Sequence, residues 1–407
     1  MSNNLKLEDI DVQSNDVYLN GPPVEQFNFL RAEAPVFRHP GKNENEIEWF
    51  WALTRHDDIT MVSRQWQNFT AAEGVTMIGS RPDMELARMM LEMDPPDHTR
   101  VRGLVNRGFT PRAIKLLADH YIEVTKRLVA EAIEESKENG QIDFVTKVAA
   151  ELPLIAIAEM LGIAIEDRGK VFDWSNRMIG MTDPDYSGGP EDATEAAAEM
   201  YVFAQEIAAD RRENPQEDII SILVSAEDGD ALDEHEFNIF VLLLAVAGNE
   251  TTRNAISHGV IALIEHPDEW DKLKANPELV DSAVEEICRW ATPVNAFRRV
   301  AQSDITLHGT EIKEGDDVVM YYVAANHDPA VFENPEVFDI TRGPNPHLAF
   351  GGGGPHFCLG ANLARLEMRA LFAELVDKCD RIELAGEITR LRSSFINGVK
   401  TLPVRLT

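Results

Sequence analysis

The chain has 407 residues, of which 44% are hydrophobic, and its formal net charge is −32. This acidic excess argues against nucleic-acid binding, because phosphate recognition needs clustered Lys and Arg. The three cysteines are widely spaced, which argues against a disulfide framework and favours a reducing cytoplasm. No apolar run is long enough to span a bilayer and no signal-peptide pattern opens the sequence, so we expect a cytoplasmic protein without a membrane anchor.

Helical periodicity dominates the chain and strand patterns are few. We therefore expect a mainly α fold with a small β-rich part, in a single domain over residues 1–407. The acidic, Gly- and Pro-rich stretch Thr182–Asp192 is expected to be a loop between two helices. The elements expected in chain order are a strand at Phe50–Thr54, helices from Thr110-Pro111 to Asn139-Gly140, at 144–162, 166–180, 191–212, 216–227, from Asp233 to about Leu263 and at 277–291, strands between Asp304 and Val323, and a helix at 359–379.

The segment Phe350–Arg365 contains four consecutive glycines, then Cys358, then a helical pattern. Glycines allow a backbone to lie flat against a planar ligand, where a Cβ would collide. A cysteine just before a helix N-terminus is favoured as the thiolate, the form that binds metal. A single thiolate beside a flat cleft suggests one axial ligand to a haem iron, whereas zinc would need three or four clustered ligands.

Other interpretations of these residues exist. A lone cysteine is usually a buried apolar residue, which is our expectation for Cys288 and Cys379. A glycine run is usually a flexible loop or a phosphate cradle, and the cradle requires a Lys-Ser/Thr that does not follow here. The residues of this segment alone therefore leave a structural cysteine and a haem ligand both open.

A second motif, Ala247-Gly-Asn-Glu-Thr-Thr252, lies inside the long apolar helix. Glycine costs about 1 kcal/mol in a helix interior, and threonine there tends to bond back to the preceding turn. Together they can open the helix locally, and an acid beside a hydroxyl suits proton delivery. A helix kink with a surface Glu-Thr pair is the alternative. A third motif, Glu286-x-x-Arg289, is a helical i, i+3 pair that is weak evidence by itself.

These motifs, in this order, resemble those of the cytochrome P-450 family of haem-thiolate monooxygenases. The resemblance runs from about Phe50 to the C-terminus. The step from Phe350 to Cys358 is eight residues instead of the family's usual seven. That longer loop is similar to a bacterial subgroup that oxidises steroid side chains and methyl-branched lipids. The resemblance implies the cytochrome P-450 fold, with a long central helix over a haem b whose axial ligand is a cysteine thiolate.

By the same resemblance, Cys358 is the iron ligand, Thr251 steadies dioxygen and Glu250 helps to pass protons. Glutamate replaces the family's commoner aspartate at position 250. Glu286 and Arg289 would form a buried structural network with Arg342 that holds the cysteine loop. The implied haem contacts, in which Arg299 is preferred to Arg298, are His98, Arg102, Ala247, Gly248, Arg299, Phe350, His356 and Gly360.

The implied reaction inserts one atom of O₂ into an unactivated C–H bond, with two electrons from a ferredoxin and its NAD(P)H-dependent reductase. An acidic donor protein would need a local basic patch on this acidic monomer. The candidates for that patch are Arg100, Arg107, Arg112, Lys115, Arg365 and Arg369.

Three stretches resemble the steroid side-chain subgroup: Arg289–Phe297, Gly343–His347 and Phe395–Gly398. They imply a cholesterol-like or isoprenoid tail as substrate. Ordinary core packing is the alternative for every pocket candidate. The pocket candidates are Met77, Ile78, Leu243, Val246, Val294, Phe297 and Phe395.

Two other functions compete with monooxygenation. A haem-thiolate peroxygenase would use hydrogen peroxide and would not need the Glu250-Thr251 pair. A non-enzymatic haem protein, such as a gas sensor, should carry a signalling or DNA-binding module, and none is visible.

Overall fold

The computed structural model describes residues 5–41, 47–77, 89–109, 111–225 and 232–407. Helices make up most of these ranges, as the periodicity predicts. No helix within them is long and apolar enough to cross a membrane. The helices are α1 Val24–Glu33, α2 His56–Arg64, α3 Asp97–Val105, α4 Pro111–Asn139, α5 Glu151–Leu161, α6 Arg168–Ile179, α7 Pro190–Glu213, α8 Ile219–Val224, α9 Glu234–Glu265, α10 Pro267–Ala275, α11 Val280–Ala291, α12 Tyr322–Ala325 and α13 Ala361–Lys378.

Within the described ranges the strands are short and form four small sheets. The largest has the order β1-β2-β8-β5-β3 and is antiparallel except where β2 pairs in parallel with β8. The others are β4-β12-β9, β10-β11 and β6-β7. The strands are β1 Val36–Pro40, β2 Trp49–Leu53, β3 Phe69–Thr70, β4 Ile142–Asp143, β5 Ala296–Ala301, β6 Ile305–Leu307, β7 Thr310–Ile312, β8 Asp317–Tyr321, β9 Ile382–Leu384, β10 Thr389–Arg390, β11 Val399–Thr401 and β12 Pro403–Leu406.

Capping signals located the long helices well. Asp233 accepts hydrogen bonds from the N–H groups of His235 and Glu236, and the Glu236 side chain accepts one from Asp233 N, which is the predicted capping box of α9. Helix α4 begins at Pro111 and ends at Asn139 as expected, although Thr110 lies outside the described residues.

Some predicted boundaries were wrong because local hydrogen bonds override periodicity. The segment predicted as a helix over 144–162 begins with a π-helical turn at Val145–Ala149. The helix predicted over 216–227 begins later, because the Asp218 side chain accepts from Ser221 N at 2.6 Å and caps α8.

Helix α9 lies at the centre of the molecule and is buried on several faces, from Phe237 near its start to Leu263 near its end. A helix that is apolar almost all round must be covered by other elements, and α9 packs against α5, α6, α7 and α11. The predicted central helix is therefore confirmed, and its residues 243–255 form one wall of the site. We retain the expectation of a single domain over residues 1–407 as a prediction.

Candidate active site

The loop between Phe350 and Cys358 is fixed by backbone geometry. Cys358 N donates to Phe350 O at 3.0 Å. Gly353 and Gly354 have φ values of +91° and +75°, which favour glycine. A Cβ on Gly352 would lie 2.6 Å from Ser63 Oγ, and one on Gly354 would lie 2.5 Å from Ser63 O.

The reason for these glycines therefore differs from the one predicted. At positions 352 and 354 the added Cβ would collide with the C-terminal turn of α2, and not with a planar ligand. At Gly360 an added Cβ would meet no protein atom within 4 Å, so the planar-ligand explanation stays a prediction for that position. Gly360 lines the cavity and precedes α13 rather than lying in its first turn.

A large cavity lies between the cysteine loop and α9. It holds about 1600 Å³ of empty space, including its opening to solvent, and both Cys358 and Thr251 line it. All eight predicted haem contacts also line it. These residues come from α3, α9, β5 and the cysteine loop, so the fold brings together side chains that are far apart in sequence.

One face of α9 forms a wall of this cavity. Leu243, Ala247 and Thr251 recur at four-residue spacing on that wall, as residues on one side of a helix must. Thr251 Oγ1 donates to Ala247 O at 2.8 Å, which is the predicted bond back to the preceding turn. Helix α9 nevertheless continues without interruption from Glu234 to Glu265.

Glu250 does not lie on the cavity wall. Its side chain is 1% exposed and forms an ion pair with Arg253 on the same helix. Burial raises the pKa of the Glu250 carboxyl, and the Arg253 charge opposes part of that rise. Consecutive helical residues point about 100° apart, so the structure does not bring this acid and the Thr251 hydroxyl to the same surface.

Four potential cations meet at one side of the cavity. His98 and His356 have ring centroids 4.4 Å apart, and Arg102 and Arg299 line the cavity beside them. Burial, with Arg102 and Arg299, lowers the pKa of His98 to about 4. Burial, with Arg299, His98 and Arg102, lowers the pKa of His356 to about 2. Within this group of cations, the lowered pKa values favour the neutral form of both imidazoles.

The cluster suits an anionic group. Arg299 is only 5% exposed, and its Nη1 donates to the backbone carbonyl of Arg298 at 2.7 Å. Arg102 donates to Pro355 O, and His356 Nε2 has no partner among the described residues. Buried cations without a counter-charge are costly, so the cluster fits the two propionates of a haem. Arg298 instead pairs with Asp317 at 3.3 Å, which agrees with the preference for Arg299.

The Cys358 sulfur faces the same cavity, and its surroundings act on it in both directions. Burial raises the pKa of the thiol, while the N–H groups of Gly360 and Ala361 and the charges of Arg102 and Arg365 lower it. The Cys358 side chain is exposed at the cavity, and the N–H groups at the start of α13 act on its sulfur in the direction that the sequence suggested. Binding to a metal deprotonates a thiol outright. Within the described ranges, no group of three or more His, Cys, Asp or Glu could hold a metal, so the zinc alternative has no donor set there.

The predicted structural network is present. Glu286 accepts from Arg289 Nη2 at 2.8 Å and from Arg342 Nε at 3.0 Å. Glu286 and Arg289 are fully buried. Arg289 also donates to the carbonyl of Asn326, whose side chain accepts from Leu348 N just before the cysteine loop. The network therefore connects α11 to the segment that leads into that loop.

The substrate-pocket predictions divide into three groups. Leu243, Val294 and Phe297 line the cavity. Met77 instead packs in the hydrophobic core around α1 and β2, and Val246 is not among the residues that line the cavity. Phe395 does not line the cavity but packs against Phe297, with the two ring centroids 5.7 Å apart. Ile78 lies outside the described residues.

The predicted basic patch is smaller than expected. Arg100 pairs with Glu236, Arg365 with Glu285 and Arg369 with Asp281. Arg112 and Lys115 are exposed, and neither has an ion-pair partner in the part of the chain that the structure describes. The side chain of Arg107 lies outside the described residues.

Glu367 is a cavity residue that the sequence analysis missed. It lies on α13, lines the cavity and is 2% exposed. Burial raises the pKa of its carboxyl to about 8, so it is mostly protonated at pH 7. The available signal was an acid among the apolar residues of α13, but periodicity cannot distinguish a buried acid from an exposed one. Cys288, expected to be an ordinary buried cysteine, is buried and also lines the cavity.

Comparison with known proteins agrees with this geometry. The cytochrome P-450 family model matches residues 154–386. A steroid C26-monooxygenase of Rhodococcus jostii is 45% identical over 98% of this chain and 84% of its own length. A methyl-branched lipid omega-hydroxylase of Mycobacterium bovis is 40% identical over 98% of this chain and 95% of its own length.

A solved Mycobacterium marinum cytochrome P-450 in complex with pseudoionone has a TM-score of 0.92 and 37% identity, with 100% of both chains covered. These relatives confirm the predicted fold and the predicted resemblance to the steroid and branched-lipid subgroup. The family implies a cysteine-ligated haem. The chain therefore belongs to the cytochrome P-450 family and is a monooxygenase.

Proposed function

We propose that the chain hydroxylates the end of an aliphatic chain in a steroid, isoprenoid or branched lipid, with haem b held by Cys358. One observation carries this proposal. Cys358, Thr251 and the cluster of His98, Arg102, Arg299 and His356 line a single cavity, and the rest of its wall is largely apolar. When bound, the haem supplies the activation of O₂, so that one oxygen atom enters a C–H bond and the other leaves as water after two electrons and two protons are added.

The polar residues have separate tasks in this proposal. Arg102 and Arg299 neutralise the two propionates, and His98 and His356 donate hydrogen bonds to them. The Thr251 hydroxyl is held at the cavity wall by its bond to Ala247 O, where it can donate to or accept from a group in the cavity. Glu250 is a buried acid with a raised pKa, and its carboxylate must leave Arg253 before it can exchange a proton with the cavity.

The apolar wall supports a lipid-like substrate. Leu243, Leu244, Val294 and Phe297 line the cavity, and such surfaces bind aliphatic chains without fixing their identity. The names of the relatives place their chemistry at C26 of a steroid and at the omega carbon of a methyl-branched lipid. Both names describe a terminal carbon, so we propose terminal hydroxylation for this chain as well.

The electrons are proposed to come from a ferredoxin and an NAD(P)H-dependent reductase in the cytoplasm. Arg112 and Lys115 are exposed, and they are the remaining described cations of the predicted patch without an ion-pair partner. We propose that an acidic ferredoxin contacts them, because the rest of this acidic surface would repel it.

The test is turnover of cholest-4-en-3-one, a branched fatty acid and a monoterpene with a ferredoxin, its reductase and NADH. A terminal alcohol from the steroid or the branched lipid supports the proposal. Oxidation away from the chain end contradicts the regiochemistry. A parallel reaction with hydrogen peroxide distinguishes the peroxygenase, which would turn over as fast with peroxide as with the electron donors.

A further inference from the structure

A hydrogen-bonded cluster lies behind the cysteine loop, on the side of Phe350 that faces α11 and α13. It consists of Glu285, His347 and Arg365. Arg365 donates to Glu285 through Nε at 2.6 Å and Nη2 at 2.8 Å. This two-point geometry is the strongest and most directional form of an Arg–carboxylate pair.

His347 completes the cluster and its tautomer follows from its contacts. Its Nδ1 accepts from Ala349 N at 3.3 Å, so Nε2 carries the proton and donates to Glu285 Oε2 at 3.1 Å. Burial raises the pKa of Glu285, but the hydrogen bonds from His347 and Arg365 hold it at about 2. The Glu285 carboxylate is therefore charged at pH 7 and faces the positive charge of Arg365.

The cluster reaches the cysteine through Phe350. The Arg365 guanidinium carbon lies 4.3 Å from the centroid of the Phe350 ring, a distance at which a cation and an aromatic face attract. The Phe350 carbonyl accepts the N–H of Cys358 at 3.0 Å, and Phe350 also lines the cavity. Arg365 is thus one ring removed from the backbone bond that orients Cys358.

We propose that Arg365, held by Glu285 and His347, is a positioning residue for Cys358 and that the balance of the Arg365 and Glu285 charges sets the reduction potential of the haem. The inference rests on the proposed ligation by Cys358. The side chains of Arg365 and Glu285 are 22% and 27% exposed. Water therefore screens their charges only partly, and a change in either is felt at the metal site.

If this proposal is right, removing the negative charge and removing the positive charge must shift the haem reduction potential in opposite directions. Glu285→Gln removes a negative charge and favours the ferrous state, so the ferric/ferrous potential rises. Arg365→Gln removes a positive charge and exposes Glu285, so the potential falls. The double variant has the original net charge, and its potential returns towards that of the wild type. A cluster that served packing alone would give shifts of the same sign in both single variants.

The neighbouring pair Arg369–Asp281 provides a matched control. It joins the same two helices at 2.7 Å, but its side chains are 44% and 76% exposed. Arg369→Gln and Asp281→Asn should leave the potential unchanged. Arg365→Lys retains the positive charge but cannot form the two-point hydrogen bond with Glu285. Its reduction potential should therefore stay close to that of the wild type, while the absorption bands of the thiolate complex become broader.

The experiment is spectroelectrochemical titration of the haem-loaded protein and of these variants, with the reduced carbon-monoxide spectrum recorded on each. Shifts of opposite sign in Glu285→Gln and Arg365→Gln support the inference. Shifts of the same sign, or shifts no larger than that of Arg369→Gln, overturn it. If Arg365→Gln does not retain haem, Glu285→Gln must still raise the potential by more than Asp281→Asn does, and Arg365→Lys must leave it nearly unchanged. An imidazole-type carbon-monoxide spectrum in the wild type would instead refute ligation by Cys358, so the two failures are distinguishable.

Discussion

Replacing Glu286 by Gln tests whether the buried network on α11 holds the molecule together. Glu286 is fully buried and accepts from Arg289 at 2.8 Å, from Arg342 at 3.0 Å and from Asn345 Nδ2 at 3.1 Å. Glutamine has nearly the same volume, so the substitution removes a charge without making a cavity. It leaves two guanidinium groups without their carboxylate.

Breaking a buried ion pair by removing one partner costs about 3–5 kcal/mol, because the remaining charge is buried and unpaired. That is a large fraction of the roughly 5–15 kcal/mol by which a typical domain is stable. Denaturant unfolding of the haem-loaded protein, followed by tryptophan fluorescence and by the haem absorbance, measures the difference. We expect both signals to be lost at lower denaturant concentration than in the wild type.

Asp281→Asn is the control on the same helix, because this side chain is 76% exposed and pairs with Arg369 at the surface. Exposed pairs contribute little to stability, so the control should unfold like the wild type. If Glu286→Gln unfolds together with Asp281→Asn, the network is not a structural support for the cysteine loop and the reasoning fails.

Three further substitutions give expected outcomes. Glu367→Gln should stabilise the protein more at about pH 8.5 than at about pH 5, by up to about 4 kcal/mol. Burial raises the pKa of the Glu367 carboxyl to about 8, so the wild type loses stability as the pH rises from about 4.5 through about 8, whereas the glutamine variant does not. Equal effects of the substitution on denaturant unfolding at the two pH values would contradict this. Gly354→Ala should lose haem, because φ is +75° and the new Cβ would lie 2.5 Å from a backbone oxygen of α2, whereas Gly103→Ala, with no atom within 4 Å, should keep it. Thr251→Ala should lower product formed per NADH and raise hydrogen peroxide, while Val246→Ala on the neighbouring face of α9 should not; unchanged coupling in Thr251→Ala would remove this hydroxyl from the mechanism.

The sequence predicted the long helices because their signals are local. A capping box at Asp233 and a proline at position 111 mark helix starts whatever surrounds them. The early helices α1 and α2, helix α10 and the C-terminal strands β9–β12 were not predicted. These elements are short, so their patterns contain too few periods to be recognised, and their order comes from packing against the rest of the chain.

The site predictions depended on motif spacing, and the residues whose direction is determined by helical spacing do line the cavity. The cavity face of α9 at Leu243, Ala247 and Thr251 follows from helical periodicity. The same periodicity turns Glu250 towards Arg253, which a linear motif does not reveal. Ion pairs between residues far apart in sequence, such as Arg365 with Glu285, leave no local pattern in the sequence. Which cations of the predicted basic patch are free of such pairs could therefore be learned only from the structure.

The most direct test of the account is the absorbance spectrum of the reduced carbon-monoxide complex in three cysteine variants. We predict a thiolate-type band in the wild type, in Cys288→Ala and in Cys379→Ala, and its loss in Cys358→Ala. A thiolate-type band that persists in Cys358→Ala, or an imidazole-type band in the wild type, would contradict ligation of the haem by Cys358.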